Sequence, residues 1–314
     1  MGQIEINHTG SGGTVVLSSD GTDLLLGGSA VGGGADLYAA NESSPAAQPS
    51  ATGANAVAIG DSAVATAHDG VGLGFKASSH GEKSFAVQTN RNDNAYGATA
   101  YASVAIMPYA KSTASGSMAV GQQSVASGAY SYSFGNIATA TSTSAYSLGH
   151  GTLSSAENAY SYGHYSIASV RGSHMKSSGH FAAAGDAMGG TFLLRCDTTD
   201  ATQTTLTANN GSIGSTVAIV AASDTSVAFH GTVVAQQNGA ASYAAWEIKG
   251  LLVNDGGTTS LPSSALTVLS NSSSWGLALV ANNTTNTLDI KFTGEASHNI
   301  RVVSHLSTSQ VTYA

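Results

Sequence analysis

The sequence has few of the residues that mark several large classes of protein. Charged residues make up 9% of its 314 residues, against about 25% in typical soluble domains. A single cysteine, Cys196, excludes an internal disulfide and a cysteine-based zinc cluster, and we expect it to be a buried small side chain. Ten Lys and Arg against eighteen Asp and Glu give a net charge of −8. Nucleic acids and anionic membranes require a basic surface, so neither is expected as a partner.

Long apolar runs are also missing. The chain starts MGQIEINHTGSGG, without a basic segment followed by an apolar one, and no window reaches eighteen apolar residues. Hydrophobic residues nevertheless make up 42% of the chain, which argues for a folded protein rather than a disordered one. We expect no membrane insertion, and any extracellular role then requires release by a route such as lysis.

The middle of the chain, between about residues 54 and 170, repeats a pattern of small, apolar, small, apolar and glycine residues. The copies follow at a spacing of 14 residues, apart from one gap of 19 that holds an insertion within Thr89 to Tyr96. The insertion predicts a protruding loop. A weaker copy lies seven residues after several main copies, so each repeat predicts two short strands and two turns. The main copies are AVAIG, GVGLG, SFAVQ, SVAIM, SMAVG, SYSFG, AYSLG and AYSYG.

Stacked repeats place equivalent residues of successive coils one strand spacing apart, in columns. Alternate side chains of a strand face opposite ways, so the two large apolar positions share one face and the small residue between them takes the other. A coil of 14 residues cannot cover that apolar face by itself. We therefore expect a homo-oligomer with these columns on its axis. The axial core would contain Val57, Ile59, Val71, Leu73, Phe85, Val104, Ile106, Met118, Val120, Tyr132, Phe134, Tyr146, Leu148, Tyr160 and Tyr162.

The pattern AVAIG-x-x-(S/A)-x-A-x-G at this spacing resembles the YadA-like head repeat of trimeric adhesins. This resemblance implies a left-handed parallel β-roll assembled as an intertwined homotrimer, with the apolar columns as the trimer core. Two further stretches resemble parts of bacteriophage tail fibres. TVVLSSDGTDLLLGG is similar to their N-terminal anchoring segments, and AAWEIKGLL with LDIKFTGEASHNIRVV is similar to their C-terminal domains.

The predicted fold is all-β, with three parts. Residues 1–50 form a segment and linker that would attach to phage tail or baseplate proteins, and residues 51–184 form the trimeric β-roll. Residues 185–314 contain longer alternating strands separated by turn signals, which predict an antiparallel β-sandwich or jelly roll. We expect this last part to bind a glycan or protein of the host surface.

Three aromatic residues are the predicted receptor contacts, because an exposed aromatic ring is a platform for a sugar. Trp275 follows NSSS at a strand edge, and Tyr101 and Tyr109 lie beside the insertion. His150 and His164 share one repeat position, which suits either a solvated or packed ladder or a metal site. Since that position also tolerates many other residues, we predict no metal and no cofactor.

Enzymatic cleavage of a polysaccharide needs two carboxylates about 5 to 10 Å apart. Of the C-terminal carboxylates, Glu247 and Asp289 each lie two residues before a lysine, a pattern that predicts exposed charge pairs. No nucleophile elbow, phosphate-binding loop or HExxH motif is present. We therefore expect a protein that is not an enzyme.

The expected function is a structural phage tail fibre or spike protein, which is part of the virion and becomes extracellular after host lysis. It would mediate attachment to the host surface. Two alternatives stay open: the head of a bacterial trimeric autotransporter adhesin, and a tailspike polysaccharide depolymerase.

Overall fold

The structure, a computed structural model, describes residues 4–7, 14–19, 24–26, 29–30, 48–89 and 96–313. Within these residues every regular element is a β-strand, as the sequence predicts, and no helix is long and apolar enough to cross a membrane. The chain divides into two compact units, Met1–Pro45 and Ala46–Ala314.

The first unit contains a four-stranded antiparallel sheet in the order β1-β2-β3-β4. Its strands are β1 (Ile4–Asn7), β2 (Thr14–Ser19), β3 (Leu24–Leu26) and β4 (Ser29–Ala30). Strands β2 and β3 pair on either side of the predicted Asp20–Gly21 turn. That turn, most of the predicted linker, and the loop within 90–95 lie outside the described residues.

The second unit begins with a parallel β-solenoid of nine turns, built from two sheets. The strands of two residues form one sheet, and the longer ones belong to the other, which we call the main sheet. The strands are β5 (Ser50–Ala51), β6 (Val57–Ile59), β7 (Val64–Ala65), β8 (Val71–Leu73), β9 (Ser78–Ser79), β10 (Phe85–Val87), β11 (Gly97–Ala98), β12 (Val104–Ile106), β13 (Lys111–Ser112), β14 (Met118–Val120), β15 (Val125–Ala126), β16 (Tyr132–Phe134), β17 (Thr139–Ala140), β18 (Tyr146–His150), β19 (Leu153–Ser154), β20 (Tyr160–His164), β21 (Ile167–Ala168) and β22 (His174–Ser177).

Small residues fill the inside of the solenoid. The middle residues of the main-sheet strands, such as Ala105 and Ala119, are fully buried. Buried hydroxyl groups bond to one another and to the main chain, as where Ser112 Oγ lies 2.7 Å from Ser117 Oγ and donates to the Ser117 carbonyl at 2.9 Å. An interior this narrow has no room for large side chains. The large apolar residues of each main strand therefore lie on the outside, as the alternation predicts.

Glycine closes most of the main strands at a corner with positive φ. At Gly121, Gly135 and Gly149 the φ angles are 128°, 129° and 130°. A Cβ on Gly135 would lie 2.0 Å from the carbonyl oxygen of Gly149 in the next coil. Successive coils thus approach more closely at this corner than any side chain permits.

The main sheet continues without a break from the last coil into long antiparallel strands. Strand β22 pairs with the first of them, and the sheet, of fourteen strands in all, runs on in the order β23-β31-β26-β27-β28. A smaller antiparallel sheet contains β24, β25, β29 and β30. The strands are β23 (Ala187–Thr198), β24 (Thr204–Thr205), β25 (Ile219–Val220), β26 (Thr225–Gln237), β27 (Tyr243–Asp255), β28 (Thr258–Asn271), β29 (Gly276–Asn282), β30 (Thr287–Thr293) and β31 (Ile300–Thr312).

The largest core of the described residues lies between these two sheets. Trp246, on the main sheet, is 1% exposed and meets the ring of Phe292, on the smaller sheet, edge-on with centroids 6.0 Å apart. Cys196 faces the same core, which confirms the prediction that it is a buried small side chain. Burial raises the pKa of the Cys196 thiol to about 12, with a smaller contribution from Asp197.

Candidate functional site

The outer face of the solenoid carries the apolar columns predicted from the repeat. The register aligns Val57 with Val71 and continues in steps of one coil to Tyr146 and Tyr160. None of the fifteen predicted core residues is buried in the single chain. Tyr146 is 42% exposed and Leu148 is 45% exposed, although both lie in the middle of a regular sheet. A continuous apolar face is therefore left uncovered by the chain itself.

Aromatic rings stack along the outer face of the last coils. The rings of Tyr132 and Tyr146 are stacked with centroids 5.0 Å apart, and Tyr146 is followed by Tyr160 at 6.0 Å. The row ends at His174, whose ring lies 5.6 Å from that of Tyr160. This ninth coil lies within the predicted β-roll of residues 51–184 but carries no recognisable copy of the repeat, because HMKS lacks the small-apolar-glycine pattern. Only the spacing of 14 residues between Tyr160 and His174 indicates the coil in the sequence.

Histidines form a cluster at the corner of these coils. The rings of His150 and His164 lie 4.9 Å apart, as neighbours on adjacent strands, and His164 lies 6.2 Å from His180. Tyr165 packs against all three, and its hydroxyl lies 3.1 Å from Nε2 of His150. Across the described ranges no group of three or more His, Cys, Asp or Glu is arranged to hold a metal ion. The ring contacts are those of a packed ladder of aromatic side chains.

Beyond β22 the outer face of the main sheet carries a mixture of polar and apolar side chains. One row crosses the strands from Thr191 through Ser307 to His230, and the next from Leu193 through His305 to Thr232. Exposed apolar side chains lie among the polar ones, including Leu193 at 56% exposure and the paired Val234 and Val303 at 52% and 45%. The sheet therefore has an apolar face over the solenoid and a mixed, solvated face over the C-terminal strands.

Of the three predicted receptor contacts, two lie on the solenoid. Tyr101 is 49% exposed, and Nζ of Lys83 donates to its hydroxyl at 3.4 Å. That hydrogen bond is the main reason why the pKa of Lys83 is raised. Tyr109 is half-buried, with its ring edge-on to Tyr96 at 5.6 Å.

The prediction for Trp275 is corrected by the structure. Its ring is 4% exposed and packs edge-on against Phe292 at 5.9 Å. The indole belongs to the core between the two sheets and cannot offer a face to a sugar. The local sequence NSSSW predicts an exposed loop end, but the smaller sheet covers the tryptophan at the end of this sequence.

The two carboxylates predicted to form exposed charge pairs, Glu247 and Asp289, differ in burial. Glu247 is exposed on the outer face of the main sheet. Asp289 instead is buried, where it accepts hydrogen bonds from Thr287 at 2.9 Å and Asn282 at 3.1 Å, and Lys291 lies 3.9 Å away. A carboxylate held in this way supports the fold, and its prediction as an exposed charge is corrected.

A second fixed carboxylate holds the turn between the solenoid and β23. Asp186 accepts hydrogen bonds from the backbone N–H groups of Phe181, Ala182 and Ala183 at 2.7–3.1 Å. These bonds, with that from Ala183 foremost, lower the pKa of Asp186 below its usual value of 3.8, although burial acts in the opposite direction. This carboxylate is committed to the turn and is not available to a ligand.

No protein-family model matches the sequence, and a search of curated proteins gives no match. Two solved structures are similar to the chain at low TM-scores. The tailspike protein gp49 of Acinetobacter baumannii bacteriophage Fri1, a capsular polysaccharide depolymerase, has a TM-score of 0.23 and 9% identity over 80% of this chain and 55% of that one. The tailspike protein of Acinetobacter phage vB_ApiP_P1 has a TM-score of 0.21 and 10% identity over 77% and 50%. The chain thus spans about half of their length.

One expectation is overturned by these comparisons. The sequence predicts a protein that is not an enzyme, whereas the first of these neighbours is a capsular polysaccharide depolymerase. The finding contradicts that prediction, which is corrected accordingly.

Proposed function

We propose that this chain is a phage tailspike component of the virion that attaches to the host by binding surface polysaccharide. The observation that carries the proposal is the division of one continuous sheet into two outer faces. The apolar columns over the solenoid need a cover, while the C-terminal strands hold polar side chains in water on the same rigid support. A stiff assembled shaft with an exposed binding domain is the arrangement that attachment requires.

The proposed cover of the columns is two further copies of the chain. A homotrimer would bury side chains such as Tyr146 and Leu148 on a common axis, in a left-handed β-roll of the YadA-like head type. In this proposal the two C-terminal sheets act as a β-sandwich, and residues 1–50 attach to tail or baseplate proteins. Three chains per spike and several spikes per particle would multiply weak contacts with a repetitive glycan.

The proposal is tested by binding of the purified full-length chain to bacterial cells. The labelled protein is added to host cells that carry their surface polysaccharide and to an isogenic strain that lacks it. We expect saturable binding to the first strain alone. Equal binding to both strains, or to neither, would contradict attachment through polysaccharide.

Cleavage of that polysaccharide is the second candidate function. Two exposed carboxylates, Asp200 and Glu295, lie on loops that touch, since a Cβ on Gly294 would be 2.9 Å from the carbonyl oxygen of Asp200. Glu295 also contacts a histidine, since its Oε2 lies 3.1 Å from Nδ1 of His298. Asp200 Oδ1 accepts from the Thr202 N–H at 2.7 Å, and in this proposal the two carboxylates act as general acid and general base at a glycosidic bond.

Cleavage is measured as the size distribution of isolated host polysaccharide after long incubation with the protein. A depolymerase shortens the polymer, and Asp200→Asn and Glu295→Gln then each slow the shortening by 100-fold or more, because an acid or base is lost. Asp255→Asn removes an exposed carboxylate from the opposite strand ends and serves as control. Shortening that survives both test substitutions would exclude this pair.

A further inference from the structure

A polar cavity of about 590 Å³ opens at one edge of the C-terminal strands, where β23 and β26 end and β31 begins. The pairing register places Asp197 and Gln236 on either side of Arg301. All three side chains are exposed on the outer face of the main sheet. The next residue in the row is Tyr243, the partner of Gln236, which is 50% exposed.

The cavity is separated from the apolar columns. Strand β23 meets the solenoid where Thr191 pairs with His174, and Asp197 lies six residues further along the same strand. At a rise of about 3.4 Å per residue, this distance is roughly 20 Å. The cavity therefore lies outside the apolar columns.

The polar groups of the cavity are largely uncommitted. Within the described residues, the side-chain amides of Gln236, Asn238 and Asn299 and the guanidinium of Arg301 form no hydrogen bond or ion pair with the protein. Asp197 uses one carboxylate oxygen, Oδ1, to accept from Asn210 at 2.7 Å. The backbone is fixed, since the N–H of Asn238 donates to the Asn299 carbonyl at 2.8 Å.

This set of groups selects a class of ligand. A side-chain amide both donates and accepts, as does each hydroxyl of a sugar, so neighbouring amides match neighbouring hydroxyls. The charges of Asp197 and Arg301 cancel, so the lining has no net charge. Such a lining does not attract an acidic polysaccharide. Tyr243 adds an aromatic face beside the amides, and the volume lies in the range of small-molecule sites.

We propose that this cavity binds a neutral hexose unit of a polysaccharide chain, with the amides and Arg301 on its hydroxyls and Tyr243 against its apolar face. This inference rests on the proposed attachment to surface polysaccharide and gives that function a site. It takes the place of Trp275, which is buried, while the predicted contacts at Tyr101 and Tyr109 on the solenoid stay separate predictions.

The test uses the full-length protein on an array of neutral gluco-, galacto- and manno-oligosaccharides together with acidic oligogalacturonates. Arg301→Ala, Asn238→Ala and Tyr243→Ala are compared with two controls. Lys249→Ala removes a cation from the same face of the sheet but away from the cavity, and Tyr101→Ala removes the solenoid ring. Thermal unfolding verifies that each variant is folded, and Asn238, in an exposed turn, gives the variant least able to disturb the fold.

We expect the wild type to bind neutral oligosaccharides, the two cavity variants and the variant of the adjacent Tyr243 to bind at least tenfold more weakly, and both controls to match the wild type. Wild-type binding that survives Asn238→Ala and Arg301→Ala would overturn the site and leave attachment intact. Binding of oligogalacturonate alone would overturn the ligand class. A wild type that binds no saccharide on the array and no host polysaccharide would overturn the proposed function with it.

Discussion

The glycine corner of the solenoid gives a stability prediction with a matched control. Replacement of Gly135 by alanine would place a Cβ 2.0 Å from the carbonyl oxygen of Gly149, on a residue with φ of 129°. Gly172 also has positive φ, at 64°, but a Cβ there would meet nothing within 4 Å. The two substitutions share the change in side chain and differ in the steric contact and in the backbone region, since only Gly172 lies in the left-handed helical region.

The expected magnitudes follow from these two terms. An unfavourable backbone conformation costs about 1–3 kcal/mol, and displacement of packed atoms by an added methyl group costs about 1–3 kcal/mol more. Gly135→Ala should therefore lower the free energy of unfolding by about 4 kcal/mol. At Gly172 the added methyl group displaces no packed atoms, and the residue lies in the left-handed helical region. Gly172→Ala should therefore lower the free energy of unfolding by about 1 kcal/mol.

Thermal unfolding followed by circular dichroism measures the difference. With about 3 °C per kcal/mol for a unit of this size, Gly135→Ala should lower Tm by about 12 °C and Gly172→Ala by about 3 °C. Equal shifts for the two variants would refute the inference that close approach of successive coils, rather than φ alone, demands glycine at this corner.

Three further predictions concern the columns and two buried groups. Tyr146→Ser combined with Leu148→Ser should convert the proposed trimer to monomers in analytical ultracentrifugation, because both side chains lie on the uncovered face. An unchanged sedimentation coefficient would argue against assembly through that face. The pKa of Asp186 is lowered in the folded state, so its stabilising effect is complete above about pH 4 and is lost as the pH falls through the folded pKa. Asp186→Asn should therefore lower Tm at pH 7 and abolish most of the acid dependence that the wild type shows below pH 4, whereas parallel curves would contradict this role. Since burial raises the pKa of Cys196 to about 12, iodoacetamide at pH 8 should label the thiol only after unfolding, and rapid labelling of the native protein would contradict its burial.

The solenoid could be predicted from the sequence because each residue there repeats the same environment. The alternation of large and small residues determines which side chains face out, and the register confirms the columns from Val57 to Tyr160. The recognisable repeat ended one coil early, since Met175 stands in β22 where the earlier coils have a small residue. At that point the interior widens into the core of the C-terminal strands, which accommodates the larger side chain.

The C-terminal part was less predictable because burial there depends on pairing between distant segments. Asp289 alternates with apolar residues and resembles an exposed position, yet Asn282 and Thr287 enclose it. The polar cavity likewise has no local signal. Asp197 and Arg301 are 104 positions apart in sequence, and only the register of β23 with β31 brings them together.

The central claim is that the apolar columns are covered by copies of the same chain, so that a stiff spike presents the C-terminal strands to the host. The native mass of the purified full-length chain, measured by light scattering, tests this claim most directly. The account predicts three times 31.2 kDa. A mass of 31.2 kDa at micromolar concentration would contradict it, because the columns would then be stable in water without a partner.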